Sequence, residues 1–242
     1  MPPRVQIVVP CFNEARRLDT ECFIEFVQTH SDIALLFVDD GSGDGTAAML
    51  TGLAARASGI TALVLPHHVG KAAAVRRGLL RAAELNPEFL GFLDADLSTP
   101  LSALPEFVGV LAANPRIDIV MGARVKLLGR DVRRRPLRHY AGRVFATAAS
   151  LALGVAVYDT QCGAKLFRLT EPVTAALRTP FRSTWIFDVE ILARYIAATG
   201  ANDAGSRICE VPLRTWTDVP GSKLRFRDGL RAVWDLARLA WK

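Results

Sequence analysis

A mostly parallel α/β sheet with helices on both faces is the fold class that this sequence predicts, and three observations predict it. Short apolar runs of strand character recur at Val5–Val9, Ile33–Val38, Thr61–Leu65, Phe89–Leu93 and Ile117–Met121. Between them lie Ala- and Leu-rich stretches long enough for helices, at Glu14–His30, Thr46–Ala57, Lys71–Glu84 and Leu101–Ala113. The composition is 50% hydrophobic over 242 residues, which is enough for one sizeable core and excludes disorder, collagen and coiled coil. Strand–helix alternation of this kind builds a sheet covered on both faces.

Taken in order, each of the five strand segments is about five residues long and is mostly bounded by turn residues. After Gly122 the pattern changes. Arg124 to Arg143 is a basic stretch holding eight Lys or Arg residues against one acid, Asp131. An uncharged run of 15 residues follows, Val144–Tyr158, as a helix candidate. Then come a glycine-bearing turn around Gly163, helices at Pro172–Leu177 and Asp188–Thr199, and a strand at Ile208–Val211. No repeat or flexible linker interrupts the chain, so residues 1–242 read as one domain, with 123–242 an elaboration of the half before it.

Lys and Arg number 30 against 24 Asp and Glu, a net charge of +6, which favours an anionic partner: phosphate, nucleic acid or an acidic membrane face. The four cysteines, Cys11, Cys22, Cys162 and Cys209, form no CxxC pair. The opening MPPRVQIVVP has no signal-peptide pattern. Reduced thiols in a cytoplasmic protein are therefore expected. The 15-residue run is shorter than the roughly 20 residues needed to span a bilayer.

In open parallel sheets, ligands bind beyond the carboxyl ends of the strands. Those ends read PCFNE (Pro10–Glu14), VDDGSGDGT (Val38–Thr46), LPHHVGKAAA (Leu65–Ala74) and FLDADLSTP (Phe92–Pro100). The second has neither the GxGxxG spacing nor a phosphate-binding P-loop. Its acids suit a ribose or the donor edge of a base, or else form an acidic turn capped by Thr46. Asp94-Ala95-Asp96 sets two hard carboxylates at a strand end, suited to a divalent ion shared with substrate phosphates or to a solvated turn. Lys71 opens a helix, where a cation opposes the dipole, and this fits a phosphate partner or an ordinary surface lysine. His67 and His68 have no third ligand at metal spacing.

PCFNE, VDDGSGDGT and the strand-end DAD, in this order and spacing, resemble the nucleotide-sugar glycosyltransferases of family 2, which have the GT-A (Rossmann-like) fold. GAR (Gly122–Arg124), HYAGRVFA (His139–Ala146), YDTQCGAKLF (Tyr158–Phe167), WIFDVEIL (Trp185–Leu192) and VPGSKLRF (Val219–Phe226) resemble its polyprenyl- or dolichyl-phosphate β-glucosyltransferase branch. The dolichyl-phosphate mannose synthases are near relatives. The resemblance implies a nucleotide-sugar site in a first half, 1–122, made of Pro10, Phe12, Glu14, Asp39, Asp40, Gly41, Ser42, Gly70, Lys71, Asp94, Ala95 and Asp96. It implies Mg²⁺ or Mn²⁺ on Asp94 and Asp96, and Arg124 facing phosphate. Ser98 stands where mannose synthases tend to carry Gln, so water would complete the metal shell.

Those relatives invert the anomeric centre, which implies in-line displacement of a nucleoside diphosphate. A lipid monophosphate acceptor is already an anion at pH 7 and needs cations rather than a base. Arg143, Lys165, Lys223 and Arg225 supply those cations in the acceptor half, and Asp159 is the base candidate for a hydroxyl acceptor or else orients a cation. The expected reaction moves a hexose, with glucose from UDP-glucose favoured over a GDP-mannose type of donor, onto a polyprenyl phosphate. The alternatives are a soluble family 2 transferase acting on a glycan or small hydroxyl, and a nucleotide-sugar-binding protein without turnover. Nucleic acid is not expected, because no recognition motif or interleaved aromatics accompany the basic stretch.

That basic stretch and a C-terminal stripe of Phe226, Leu230, Val233, Trp234, Ala237 and Trp241 predict peripheral contact with an anionic membrane. Arg227, Arg231, Arg238 and Lys242 lie off the stripe. The contact would be on the cytoplasmic face.

Overall fold

The computed structural model describes residues 4–133, 136–218, 234–236 and 238. Strand β1 (Val5–Cys11) takes the middle of the sheet because both of its faces are apolar. Val5, Ile7, Val9 and Cys11 enter one core while Val8 enters the other, the two-residue alternation of a strand. Beside it run β2 (Ile33–Asp39), β3 (Ile60–Val64) and β4 (Phe89–Leu93), all parallel to it. Beyond lie β5 (Ile119–Ala123), β7 (Ala164–Arg168) and β8 (Ile208–Pro212). The seven-stranded order is β3-β2-β1-β4-β7-β5-β8, with β7 antiparallel to both of its neighbours. A small parallel pair, β6 (Asp131–Arg133) with β9 (Thr215–Thr217), stands apart.

Helices α1 (Thr20–Thr29), α2 (Thr46–Arg56) and α4 (Ala103–Ala113) cover one face through Phe23, Phe26, Leu50, Leu53, Leu104 and Phe107. The opposite face carries α3 (Lys71–Ala83), α5 (Pro136–Leu153), α6 (Glu171–Arg178) and α7 (Phe187–Thr199), followed by the short α8 (Ala201–Arg207). Helix α3 lies close against the sheet at Gly78, where an added Cβ would stand 2.5 Å from Val8 Cγ1 and 2.8 Å from Val38 Cγ2. The mostly parallel, doubly covered sheet agrees with the sequence expectation.

Details differ, each for a local reason. Helix α1 begins at Thr20 rather than Glu14 because Asp19 caps it, its carboxylate accepting from Cys22 N at 3.2 Å. Gly45, at φ +92°, takes the cap position expected for Thr46. Thr46 Oγ1 instead ties two loops together, accepting from Glu14 N at 2.9 Å and donating to Asp44 Oδ1 at 2.5 Å. The turn at Gly163 leads directly into β7, a strand the periodicity alone did not separate from its surroundings.

Among the described residues, no helix is long and apolar enough to cross a membrane. Of the C-terminal stripe only Trp234 lies among the described residues, and it is helical, as are residues 235, 236 and 238 beside it. Lys223, Arg225, VPGSKLRF and the rest of the stripe lie outside the described residues.

Candidate active site

The strand order reverses at β1 and β4, so the crevice beyond their carboxyl ends is where this fold places a ligand. Three loops knit that end together. Asn13, at φ +56°, donates its N–H to Ser42 Oγ at 2.9 Å, and its Oδ1 accepts from Gly43 N at 3.1 Å. Ala15 N donates to Asp44 Oδ2 at 3.2 Å. Gly41 has φ +66°, and a Cβ there would collide with the backbone of His67. Phe12 stacks on His68 with ring centroids 4.0 Å apart, making an aromatic wall at the rim. Pro10 and Glu14 border the same loops, with Arg17 holding the Glu14 carboxylate at 2.5 Å.

The two adjacent acids after β2 separate in role. Asp39 is buried, and its Oδ2 accepts from Ser42 N at 3.2 Å. Its Oδ1 is buried with no hydrogen-bond partner among the described residues. Asp40 is equally buried, but its oxygens take Val69 N at 2.7 Å and Gly70 N at 2.9 Å. It fixes the turn into α3, and with it the entry of Lys71. Lys71 Nζ reaches Asp94 Oδ1 at 2.6 Å. Burial pulls the Lys71 ammonium down, but Asp94, Asp188 and Asp96 outweigh that pull, and its pKa stands above the ordinary lysine value.

Asp94 is set by the segment leading into β7. Its N–H donates to Gly163 O at 2.8 Å, and its carboxylate lies over Gly163, where any Cβ would collide with it. Asp96 is exposed and accepts from Ser98 N at 3.0 Å, whereas Ala95 between them is buried in the core. The same segment organises the neighbouring cation. Asp159 is buried and grips Arg124 in a fork, with Nε to Oδ2 and Nη2 to Oδ1 both at 2.7 Å. Arg124 N adds a third bond to Oδ2 at 3.0 Å. Burial opposes the charge on Arg124, yet Asp159 and the nearby Asp94 raise its pKa, so it stays a cation. Glu210 of β8 holds the turn beneath, accepting from Tyr158 N and Asp159 N, each at 2.7 Å. Arg143 donates to Tyr158 O at 2.9 Å and lies 3.8 Å over the Tyr158 ring. Arg124 and Arg143 thus converge on one turn.

Lys165 corrects the sequence expectation of an acceptor-gripping cation. Alternation along β7 sends it to the α3/α7 face, where its side chain is 0% exposed. There Nζ donates to Asp188 Oδ1 at 2.7 Å and Cys162 O at 2.8 Å, leaving it no path to a ligand at the surface. Asp188, at the start of α7, was not singled out by sequence. Burial raises its pKa, against the lowering pull of Lys165 and Lys71. An acid within the apolar WIFDVEIL is the signal that marks it, because a buried carboxylate needs a partner.

Among the described residues, no group of three or more His, Cys, Asp or Glu forms a ready cation site. The donor set nonetheless fits a hard divalent ion. Two carboxylates stand at one strand end, and Asp94 already has a cation, Lys71, against it.

A sheet of this topology with such a crevice defines a GT-A protein, and solved structures agree. Glucosyl-3-phosphoglycerate synthase from Mycobacterium tuberculosis, in complex with Mn²⁺, UDP-glucose and phosphoglyceric acid, superposes with a TM-score of 0.70 at 19% identity over 98% of this chain and 80% of that one. The chain belongs to glycosyl transferase family 2, whose family model matches residues 6–170. A dolichyl-phosphate β-glucosyltransferase of Dictyostelium discoideum is 30% identical over 98% of this chain and 74% of its own length. One from Trichomonas vaginalis is 29% identical over 96% of this chain and 69% of its own.

Proposed function

We propose that this glycosyltransferase moves a hexose, with inversion, from UDP-glucose to a polyprenyl phosphate. The observation that carries the acceptor is the state of Asp159. Both of its oxygens are taken by the Arg124 fork, so it orients a cation and is not poised as a base. A hydroxyl nucleophile needs a base; a phosphate monoester, with a second pKa near 6, does not. The names of the similar proteins point the same way. Arg124 and Arg143 then position the acceptor phosphate, with Lys223 and Arg225 as further candidates.

The donor reading rests on Asp39. A buried acceptor without a partner costs about 1–3 kcal/mol, which a ligand N–H relieves. Uracil presents one imide N–H on its pairing edge, matching the one open oxygen. Phe12, Glu14 and the 41–42 turn flank the base and ribose, with Lys71 toward the diphosphate. A divalent ion would be held by Asp94 and Asp96, and would neutralise charge on the leaving diphosphate. Residues 1–122 make the donor half of the domain and 123–242 the acceptor half. The protein works on the cytoplasmic face of a membrane as a peripheral enzyme.

The alternative is transfer to a glycan or small hydroxyl, which would need a base. Incubation with UDP-glucose, Mg²⁺ and either polyprenyl phosphate or glycans separates the two. The expected product is glucosyl phosphoprenol, lost in EDTA and reduced about a hundredfold in kcat by Asp96→Ala. Asp159→Asn should retain more activity than Asp96→Ala. Transfer to glycan hydroxyls alone would replace the lipid reading.

A further inference from the structure

We propose that the 124–130 loop inserts its tip, Leu127 and Leu128, into an anionic bilayer and so holds the site at headgroup level. The proposal rests on the polyprenyl-phosphate reading and names the surface that delivers it. Leu128 is 104% exposed and Leu127 47%, side by side at the apex. Single exposed leucines are ordinary, but an adjacent pair at a loop apex is an apolar point with no core to enter. Gly129, at φ +76°, turns the chain there, and Arg130 N closes the turn on Leu127 O at 3.1 Å.

Charge selects the occupant. Lys126 and Arg130 bracket the two leucines, and the loop opens the basic 124–143 stretch. An apolar tip collared by cations matches acyl chains beneath anionic headgroups, where each cation strengthens the contact. A second observation lies in the next helix. Tyr140, Val144 and Leu151 of α5 are 69%, 74% and 80% exposed, and spacings of four and seven residues bring them to one side of the helix.

The base of the loop is rigid, since Arg124 is clamped by Asp159 and Asp131 N bonds Arg214 O at 2.9 Å. From Arg124 to Leu128 the chain reaches at most about 14 Å. A tip sunk roughly 5–10 Å below the headgroup boundary therefore keeps Arg124 at the depth of a lipid phosphate.

The test uses the full chain and vesicles of phosphatidylcholine with one quarter phosphatidylglycerol. Leu127→Ser/Leu128→Ser should weaken vesicle binding about tenfold or more, and transfer to vesicle-embedded polyprenyl phosphate should fall with it. Transfer to a short, water-soluble prenyl phosphate should change less than about twofold, because no donor-site or phosphate-binding group is altered. Leu128→Trp should gain fluorescence quenched by brominated lipid. Equal vesicle binding by the double variant, an unquenched Trp in bound protein, or no vesicle binding by the parent chain would overturn the proposal. A lipid-free dimer that the double variant dissociates would assign the tip to a second copy and overturn it equally. If neither prenyl phosphate accepts sugar, the acceptor reading fails by itself, while binding and quenching still decide the tip.

Discussion

Gly163 shows how a residue without a side chain sets the chemistry of another. Its missing Cβ is the space the Asp94 carboxylate occupies, and its carbonyl fixes Asp94 N at 2.8 Å, so neither group can step aside alone. Gly163→Ala should therefore lower kcat/KM about tenfold or more by misplacing the acid, with little change in unfolding midpoint; steady-state kinetics beside urea titration checks this. Lys165 is the contrary case, a cation whose variant should register as instability. Lys165→Met strands Asp188 in the interior, at a cost of about 3–5 kcal/mol, whereas Lys165→Met/Asp188→Leu should recover most of it. Urea midpoints of the two variants decide. The distinction between Lys165 and Arg143 was not legible in the sequence. Both are cations near apolar runs, and only strand alternation along β7, itself unrecognised, shows which one is enclosed. Asp39 and Asp40 are adjacent and alike in type, and their division of labour depends on which oxygens the neighbouring turns consume.

At the scale of the element, helix α3 joins packing to function. It carries Lys71 at its first residue and Gly78 two turns later against β1, so the sheet surface fixes where the ammonium stands. Gly78→Leu should lift the helix from Val8 and Val38 at a cost of about 1–3 kcal/mol or more. A lower melting temperature together with weaker donor binding would show that one contact governs both. The first four strands and helices were legible because each apolar run is short, enters a core on one or both faces and ends in turn chemistry. Boundaries failed where a side chain overrode periodicity, as Asp19 does in starting α1 late. β7 failed for a different reason. AKLFR places a lysine inside a buried strand, and such a lysine is explained only by Asp188, 23 residues further on. Likewise β6 and β9 are three residues each, too short for any period to register.

At the scale of the whole molecule, packing shields the four thiols unequally. Cys11 and Cys162 are buried, Cys22 and Cys209 half-buried, and all four are free. Burial pushes every one of these thiols above its ordinary pKa, with neighbouring carboxylates adding to the shift. At pH 8 a disulfide reagent should find two cysteines slowly in the native protein and the other two only in denaturant, as measured by thionitrobenzoate release. Three reactive native thiols would contradict this packing. The position of β7 also governs how the chain is assembled. β4 and β5 are made early, yet neither hydrogen-bonds the other, because β7 lies between them. Until residue 168 is available, both strands carry an open edge, and premature pairing of β4 with β5 would close the sheet in the wrong order. Completing the sheet therefore waits for two late strands, β7 between β4 and β5 and β8 at the edge. A fragment ending at residue 122 would contain most donor-side residues but lack the strand that seals β4. Residues 1–122 and 123–242 thus contribute strands to one sheet, and neither stretch completes it alone.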